Sequence, residues 1–316
     1  MKPPIRNHLY AGFAAGDRLN RKVDVRPVLS SWDSRLRRSG YVRMSEASLW
    51  MLSRGDAPAE RHRMWVRMGG PPGQQIVLFD FQRTGSASRL PSLLQGVSGY
   101  LQSNGDVCYQ QAAADLGLVS LGCFEHCRLR IGSALRNTPA SMRWAAAAAS
   151  CAVRLIDELY AIEREAQCLD PDKRVALRKC KAAPVLARLQ QWLSQRLRSG
   201  GDLLEQAFKH CLSRWPDLIR YLDDGSVQID NSALESAICS FSAGLDKWLF
   251  AESEQDAVNA AALYSFIATA NVNSIEPHSY LRWLFDELPA ARSDPELQRL
   301  LPFKVKHGLS RKSIGE

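Results

Sequence analysis

The feature that most constrains this chain is a change of hydrophobic period partway along it. Between Tyr41 and Leu121 short apolar runs are separated by turn residues, whereas from about Arg136 the apolar residues fall three and four apart. Tyr41–Met44, Leu49–Leu52 and Met64–Met68 are short apolar runs with the texture of strands. Gly69-Gly70-Pro71-Pro72-Gly73 reads as a turn, and Gln75–Phe81 (QIVLFDF) as a buried strand. Leu90–Gln95 fits a short helix, Gly99–Gln102 a strand, Cys108–Leu116 a helix and Leu118–Cys123 a last strand. The predicted order is strand, strand, strand, helix, strand, helix, strand.

The helical block carries Leu155, Leu159 and Ile162, then Leu186, Leu189, Leu193 and Leu197, and is punctuated by Pro171, Pro184, Gly200-Gly201 and Pro216. Asp223-Asp224-Gly225 turns the chain and Val227–Ile229 is short and extended. Asn231–Phe241 follows as a helix, with Asp230 or Asn231 as its N-cap. Asp256–Asn271 and Tyr280–Leu288 complete the helices before a basic tail, Lys304 to Lys312.

A length of 316 residues with 46% hydrophobic and 23% charged residues describes an ordinary globular chain of about two domains. Its longest nearly uncharged apolar run, Trp144 to Val153, falls well short of the ~18–20 residues that span a bilayer. The N-terminal MKPPIRNHLYAGF lacks the apolar stretch of a secretory signal. Eight dispersed cysteines make no disulfide scaffold, so a reducing cytoplasm and no membrane partner are expected. No phosphate-binding G-x-x-x-x-G-K-[ST] loop and no G-x-S-x-G elbow occurs, which removes nucleotide-hydrolase and esterase readings.

The net charge of +8 is uneven. Residues 1–70 hold 14 Lys and Arg against 6 Asp and Glu, and residues 71–316 hold 27 against 27. A basic arm beside a neutral body is either the footprint of a polyanion, most commonly nucleic acid, or a solvated tail. Residues 1–40 are read as a basic, poorly ordered arm, with Arg21-Lys22 and Arg37-Arg38 as candidate DNA contacts. Cys123, His126 and Cys127 lack the second ligand pair of a structural zinc site and read as core. Trp192, Trp215 and Trp248 lie on helical faces and also read as core rather than as base-stacking platforms.

Three groups of residues together resemble the insertion-sequence-66 type of bacterial transposases. The first is Gly99-Tyr100-Leu101-Gln102-Ser103-Asn104-Gly105 followed by Gly122-Cys123-Phe124-Glu125-His126-Cys127-Arg128. The second is Phe208 to Glu235 (FKHCLSRWPDLIRYLDDGSVQIDNSALE). The third comprises Trp248-Leu249-Phe250-Ala251, Tyr264-Ser265-Phe266-Ile267-Ala268-Thr269-Ala270 and Leu300-Leu301-Pro302-Phe303.

The resemblance covers roughly residues 41–303. It implies an RNase H-like mixed sheet with a large helical insertion and a small helical C-terminal segment. The core would run over 41–135 and 226–255, with the insertion at 136–225 and the C-terminal segment and basic tail at 256–316. It also implies DNA as partner, DNA transposition by strand transfer, and Mg²⁺ held by three carboxylates. Self-association is left open, and a DNA-bound protein would be nucleoid-associated.

The departures from the family pattern bear on activity. Glu235 matches the last acid, but the other two positions align with Ser45 and Asn104, which supply no negative charge. Mg²⁺ is therefore expected to bind weakly or not at all, with Glu235 a weak ligand. Glu46, Asp80 and Asp106 are the candidate substitutes, although Glu46 as Ser45's neighbour on a strand would face the other way. The family's G-R-K-N-W becomes Gly244-Leu245-Asp246-Lys247-Trp248, leaving Lys247 as a candidate DNA contact. Forty residues before Tyr41 leave no counterpart of the family's N-terminal metal-binding and helix-turn-helix portion. The expected function is a transposase-like protein with impaired catalysis; the alternatives are a non-catalytic DNA-binding protein and a decayed remnant.

Overall fold

The computed structural model describes residues 24–51, 60–82, 90–138, 143–197, 202–248 and 254–305. The chain divides into two compact units, residues 1–98 with 233–316, and residues 99–232. Five strands and a larger share of helix make each unit mixed α/β among the described residues.

The first unit opens with a helix that the sequence reading does not anticipate. Helix α1 spans Arg26–Arg37, so the expectation of a poorly ordered stretch up to Gly40 is corrected over these residues. Its apolar positions Val28, Trp32 and Leu36 are four apart and buried, a single stripe hidden among arginines. Strand β1 (Tyr41–Met51) is one strand rather than two runs, because Ser45-Glu46-Ala47-Ser48 keeps its pairing even where hydrophobicity lapses. It pairs antiparallel with β2 (Glu60–Gly69), which pairs antiparallel with β3 (Ile76–Gln82). The turn between β2 and β3 needs Gly70 at φ +99°, where a Cβ would also meet the Gln74 carbonyl.

Alternation gives this three-stranded ladder two different faces. One face carries Ala47, Met64, Val66, Met68, Val77 and Phe79. Leu234, Ile238 and Phe241 of α10 (Ser232–Trp248) pack into it, with Ala257, Ala261 and Tyr264 of α11 (Glu254–Val272). Phe241 meets Tyr264 edge-on, 4.7 Å between ring centroids. The opposite face buries Arg67, whose guanidinium bonds Asp80 (2.9 Å), Asp33 of α1 (2.5 Å) and the Leu93 carbonyl (2.9 Å) of α2 (Leu90–Leu94). Burial opposes that charge, but Asp80 and Asp33 outweigh it and hold the guanidinium protonated.

Helix α11 also closes the outer edge of β3. Ser265 and Thr269 of α11, and Asn273 just past its end, are four apart and bond the backbone of Phe79 and Val77 of β3 and of Gln75 just before it, two apart. Four helical residues rise about 6 Å and two strand residues about 6.6 Å, so the two ladders stay in step over three rungs. Beyond it come α12 (Pro277–Glu287) and α13 (Asp294–Arg299), the latter absent from the sequence reading because it is short. A capping box of Ser293 and Glu296 starts α13, and Gln298 reaches back to Ser31 of α1 at 2.7 Å.

In the second unit β4 (Tyr100–Gln102) and β5 (Val119–Leu121) pair in parallel around α3 (Val107–Asp115). Then follow α4 (Phe124–Arg136), α5 (Arg143–Ala166), α6 (Pro171–Leu177), a π-helical turn Arg178–Ala182, α7 (Ala183–Ser194), α8 (Leu203–Ser213) and α9 (Trp215–Ile219). The leucines and isoleucine singled out by period are buried here, except Leu197, which stands exposed beyond the end of α7. Residues 227–229, read as short and extended, pair with no strand among the described residues. Their carbonyls are taken instead by Arg178, by Gln102 Nε2 and by the Phe124 N–H that opens α4. No helix among the described residues is long and apolar enough to cross a membrane.

Candidate active site

The three positions that the sequence reading sets against the family's acids lie on different kinds of element. Ser45 is in the middle of β1, opposite Val66, on the face that α10 covers, and is almost wholly buried. Glu235 is half-buried in the first turn of α10, directly after the core residue Leu234. A carboxylate in a first helical turn is favoured by the amides that end there. Both belong to the first unit.

Asn104 belongs to the second unit, in the loop between β4 and α3. Its Oδ1 accepts the Asp106 N–H at 3.0 Å and its Nδ2 donates to Asp106 Oδ2 at 3.0 Å. Gly105 between them has φ +85° and packs against Arg214.

Each candidate substitute faces a cation. Glu46, Trp65 and Asp80 share a register and so a face, the one opposite Ser45. Glu46 pairs with Arg63 at 2.8 Å, and Asp80 is one of the two carboxylates around buried Arg67. Exposed Asp106 lies 3.7 Å from Arg130.

The aspartates of the DDG and IDN segments shape the backbone. Asp224 Oδ1 accepts from the N–H and hydroxyl of Ser226, and Gly225 fits because a Cβ there would collide with the Pro171 carbonyl. Asp230 accepts from the Ser232 N–H (3.0 Å) and hydroxyl, which starts α10, and from the Tyr160 hydroxyl at 2.6 Å. Burial first, and then the Asp230 carboxylate, push the Tyr160 hydroxyl far above its ordinary range, so it stays a donor.

Arg178 is the residue that sequence reasoning missed. In Arg178-Lys179-Cys180-Lys181 it looks like one solvated charge among others, yet it is fully buried and grips Glu163 bidentately while bonding the carbonyls of Tyr221, Asp224 and Val227. No local signal separates it from its exposed neighbours, because the π-helical turn that rotates it inward is set by tertiary packing.

Around the Asn104 loop stand Arg130, Arg214, His126 and His210. Burial first, then the Arg130 and Arg214 cations, hold the His210 imidazole below its ordinary pKa. Cys123 and Cys127 are buried, and burial pushes the Cys123 thiol up to about 12, which makes it inert. Trp215 is buried, whereas half-buried Trp192 carries the Arg196 guanidinium over its ring at 3.9 Å.

Among the candidate DNA contacts, Arg37 is bound to Asp33 (2.6 Å) and to the carbonyls of Gln95 and Ser92, so it clamps the first unit together. Arg38 is exposed at the end of α1. Arg21 and Lys22 lie outside the described residues, as do the side chains of Lys247 and Trp248 in α10.

Two Mg²⁺ ions would need several anionic oxygens. Ser45 and Asn104 offer neutral oxygens, and no group of three or more His, Cys, Asp or Glu stands ready to hold a metal ion among the described residues. The donor set does not fit a two-metal centre.

Comparison with known proteins bears on the whole arrangement. Residues 17–259 match the family described as Transposase IS66 family, and residues 265–303 match the IS66 C-terminal element, which thus begins at the Ser265 rung of the α11 ladder. The uncharacterized proteins y4hP, y4jD and y4qI of Sinorhizobium fredii (strain NBRC 101917 / NGR234) are similar. The first is 33% identical over 49% of this chain and 28% of its own length. The second is 25% identical over 92% and 56%, and the third 27% over 84% and 48%. The chain therefore spans between about a quarter and just over half of these relatives' lengths.

Proposed function

Because this chain belongs to the insertion-sequence-66 family of transposases, we propose that it is a DNA-handling protein of an insertion sequence whose RNase H-like core holds DNA without cutting it. The observation that carries this reading is the charge of the acid positions: Glu235 is present, while Ser45 and Asn104 stand where two carboxylates would be. Strand transfer in such enzymes uses two divalent cations about 3.5–4 Å apart, and carboxylates offset their mutual repulsion. Three carboxylates offset three of the four positive charges. One leaves most of that repulsion standing, at a cost of several kcal/mol even at an effective dielectric near 20.

The partner is DNA, met by exposed arginines such as Arg38 and by the Lys and Arg of the first 23 residues, and the place of action is the bacterial cytoplasm at the nucleoid.

The test is a metal titration and a plasmid-nicking assay on freshly prepared protein. The wild type is expected to bind Mg²⁺ and Mn²⁺ weakly and to leave DNA intact, while the double variant Ser45→Asp/Asn104→Asp gains saturable metal binding. Metal-dependent nicking by the wild type that Glu235→Ala abolishes overturns the reading.

A further inference from the structure

The chain contains one Asn followed by Gly, at Asn104-Gly105. We propose that Asn104 is a self-modifying residue: the Gly105 amide nitrogen closes on the Asn104 side-chain carbonyl carbon, ammonia leaves, and water opens the resulting succinimide to a carboxylate at position 104.

The loop supplies the parts of this reaction. The attacking nitrogen belongs to a glycine, which it must be: residue 105 has φ +85°, and a Cβ there would lie 3.0 Å from Arg214 Nε. No side chain therefore hinders ring closure. The carbonyl to be attacked is already polarised, since Asn104 Oδ1 accepts the Asp106 N–H at 3.0 Å. That bond closes a ring that includes the Gly105 nitrogen, and a donor so placed stabilises the oxyanion that forms as the nitrogen adds.

Arg214 brings the charge. It is more than nine-tenths buried, pairs with Asp217, and its Nε has no hydrogen-bond acceptor among the described residues. A buried cation held against buried Gly105 favours loss of the amide proton and the negative charge that follows. The Gly105 N–H donates to the Ser103 hydroxyl at 3.2 Å. Asn104 itself is half-exposed, so hydroxide can take the proton and ammonia can escape.

The balance is closed without any oxidant or reductant. The Gly105 nitrogen loses its proton to hydroxide and forms a bond to Asn104 Cγ, while the Cγ–Nδ2 bond breaks and ammonia departs with a proton from water. Water then adds to either imide carbonyl, giving an aspartyl or an isoaspartyl linkage. The net change is amide plus water to carboxylate plus ammonium, one negative charge gained. This chemistry stands without the functional reading above; only its consequence, a second carboxylate at an acid position, rests on it.

The experiment is peptide mapping by mass spectrometry of the full chain incubated at mildly alkaline pH, native and in urea. Expected is conversion at 104, as aspartyl plus isoaspartyl, several-fold faster in the native protein than in the unfolded chain and than at Asn137, Asn231, Asn259, Asn271 or Asn273. Asp106→Pro removes the N–H donor at a φ of −63° that proline adopts, and Arg214→Gln removes the cation; each should slow the native rate several-fold and leave the rate in urea unchanged. A native chain that keeps its amide while the unfolded chain loses it overturns the proposal, as do two folded variants that convert at the wild-type rate. Metal titration of converted protein separately reads the consequence, and its failure would count against the functional reading alone.

Discussion

The Thr269 hydroxyl accepts the Val77 N–H and donates to the Val77 carbonyl, each at 3.0 Å, so one side chain of a helix does for an edge strand what a neighbouring strand would do. Edge strands with unpaired backbone invite pairing with other chains, and here the rungs at Ser265, Thr269 and Asn273 occupy that edge.

Thr269→Val keeps the shape and removes both bonds, leaving a buried N–H and a buried carbonyl unmet. The expected loss is about 1–3 kcal/mol in urea unfolding, with increased self-association of the unit at high protein concentration. A loss below about 0.5 kcal/mol would show that the edge is satisfied some other way.

The Arg178–Glu163 pair organises the turn between α9 and α10. Removing one member leaves a buried charge, so Arg178→Met should cost about 3–5 kcal/mol, and Arg178→Met/Glu163→Leu should recover part of that loss. A double-variant cycle in denaturant measures the coupling. If the double variant is no more stable than Arg178→Met, the carbonyl bonds to Tyr221, Asp224 and Val227 carry the effect.

Glu276 caps α12 by accepting from the N–H of His278 (3.0 Å) and Ser279 (2.6 Å). Burial alone would raise its pKa, but these bonds outweigh it and hold the carboxyl below the usual glutamate range. A depressed carboxyl contributes stability that is complete above the unfolded value and is lost as pH falls through the folded one. Glu276→Ala should therefore cost about 1 kcal/mol at neutral pH and converge with the wild type below about pH 4.5. Parallel stability curves down to lower pH would remove the cap from the account.

Truncation separates charge from core. Removing residues 1–23 takes away Lys2, Arg6, Arg18, Arg21 and Lys22 against Asp17, a net loss of four positive charges. DNA affinity should fall, and the salt slope should shrink by roughly 0.9 for each phosphate that the shortened chain leaves unneutralised. Removing residues 1–40 also deletes Val28, Trp32 and Leu36, and should cost well over the ~3–5 kcal/mol of a single buried tryptophan. An unchanged salt slope after the shorter deletion would place the DNA-binding surface elsewhere.

The strands and helices that carry their own period were legible. Gln75–Phe81 announced β3, and the leucines of the helical block announced buried faces, because alternation and the three-to-four spacing are local properties. Helix α1 was not legible, since three apolar residues among arginines in a short segment give too weak a period. The motif residues were visible before their reasons were. Thr269 and Ser265 stood out in the Y-S-F-I-A-T-A segment, but only β3 beside the helix explains why hydroxyls stand there.

By itself the sequence determined the family, the change from strands to helices along the chain and the buried faces of the helical block, because these depend only on which side chains occur and how they are spaced. Tertiary structure decided which charges are free to act. It turned Arg178 inward to hold the DDG turn, set Asp80 and Asp33 around Arg67, and tied Arg37 to Asp33 and to the carbonyls of Gln95 and Ser92. A charge has the same letter in solvent and in a core. Its pairing depends on residues far away in the chain, and for Arg178 or Arg67 that environment exists only once the strands and helices have packed.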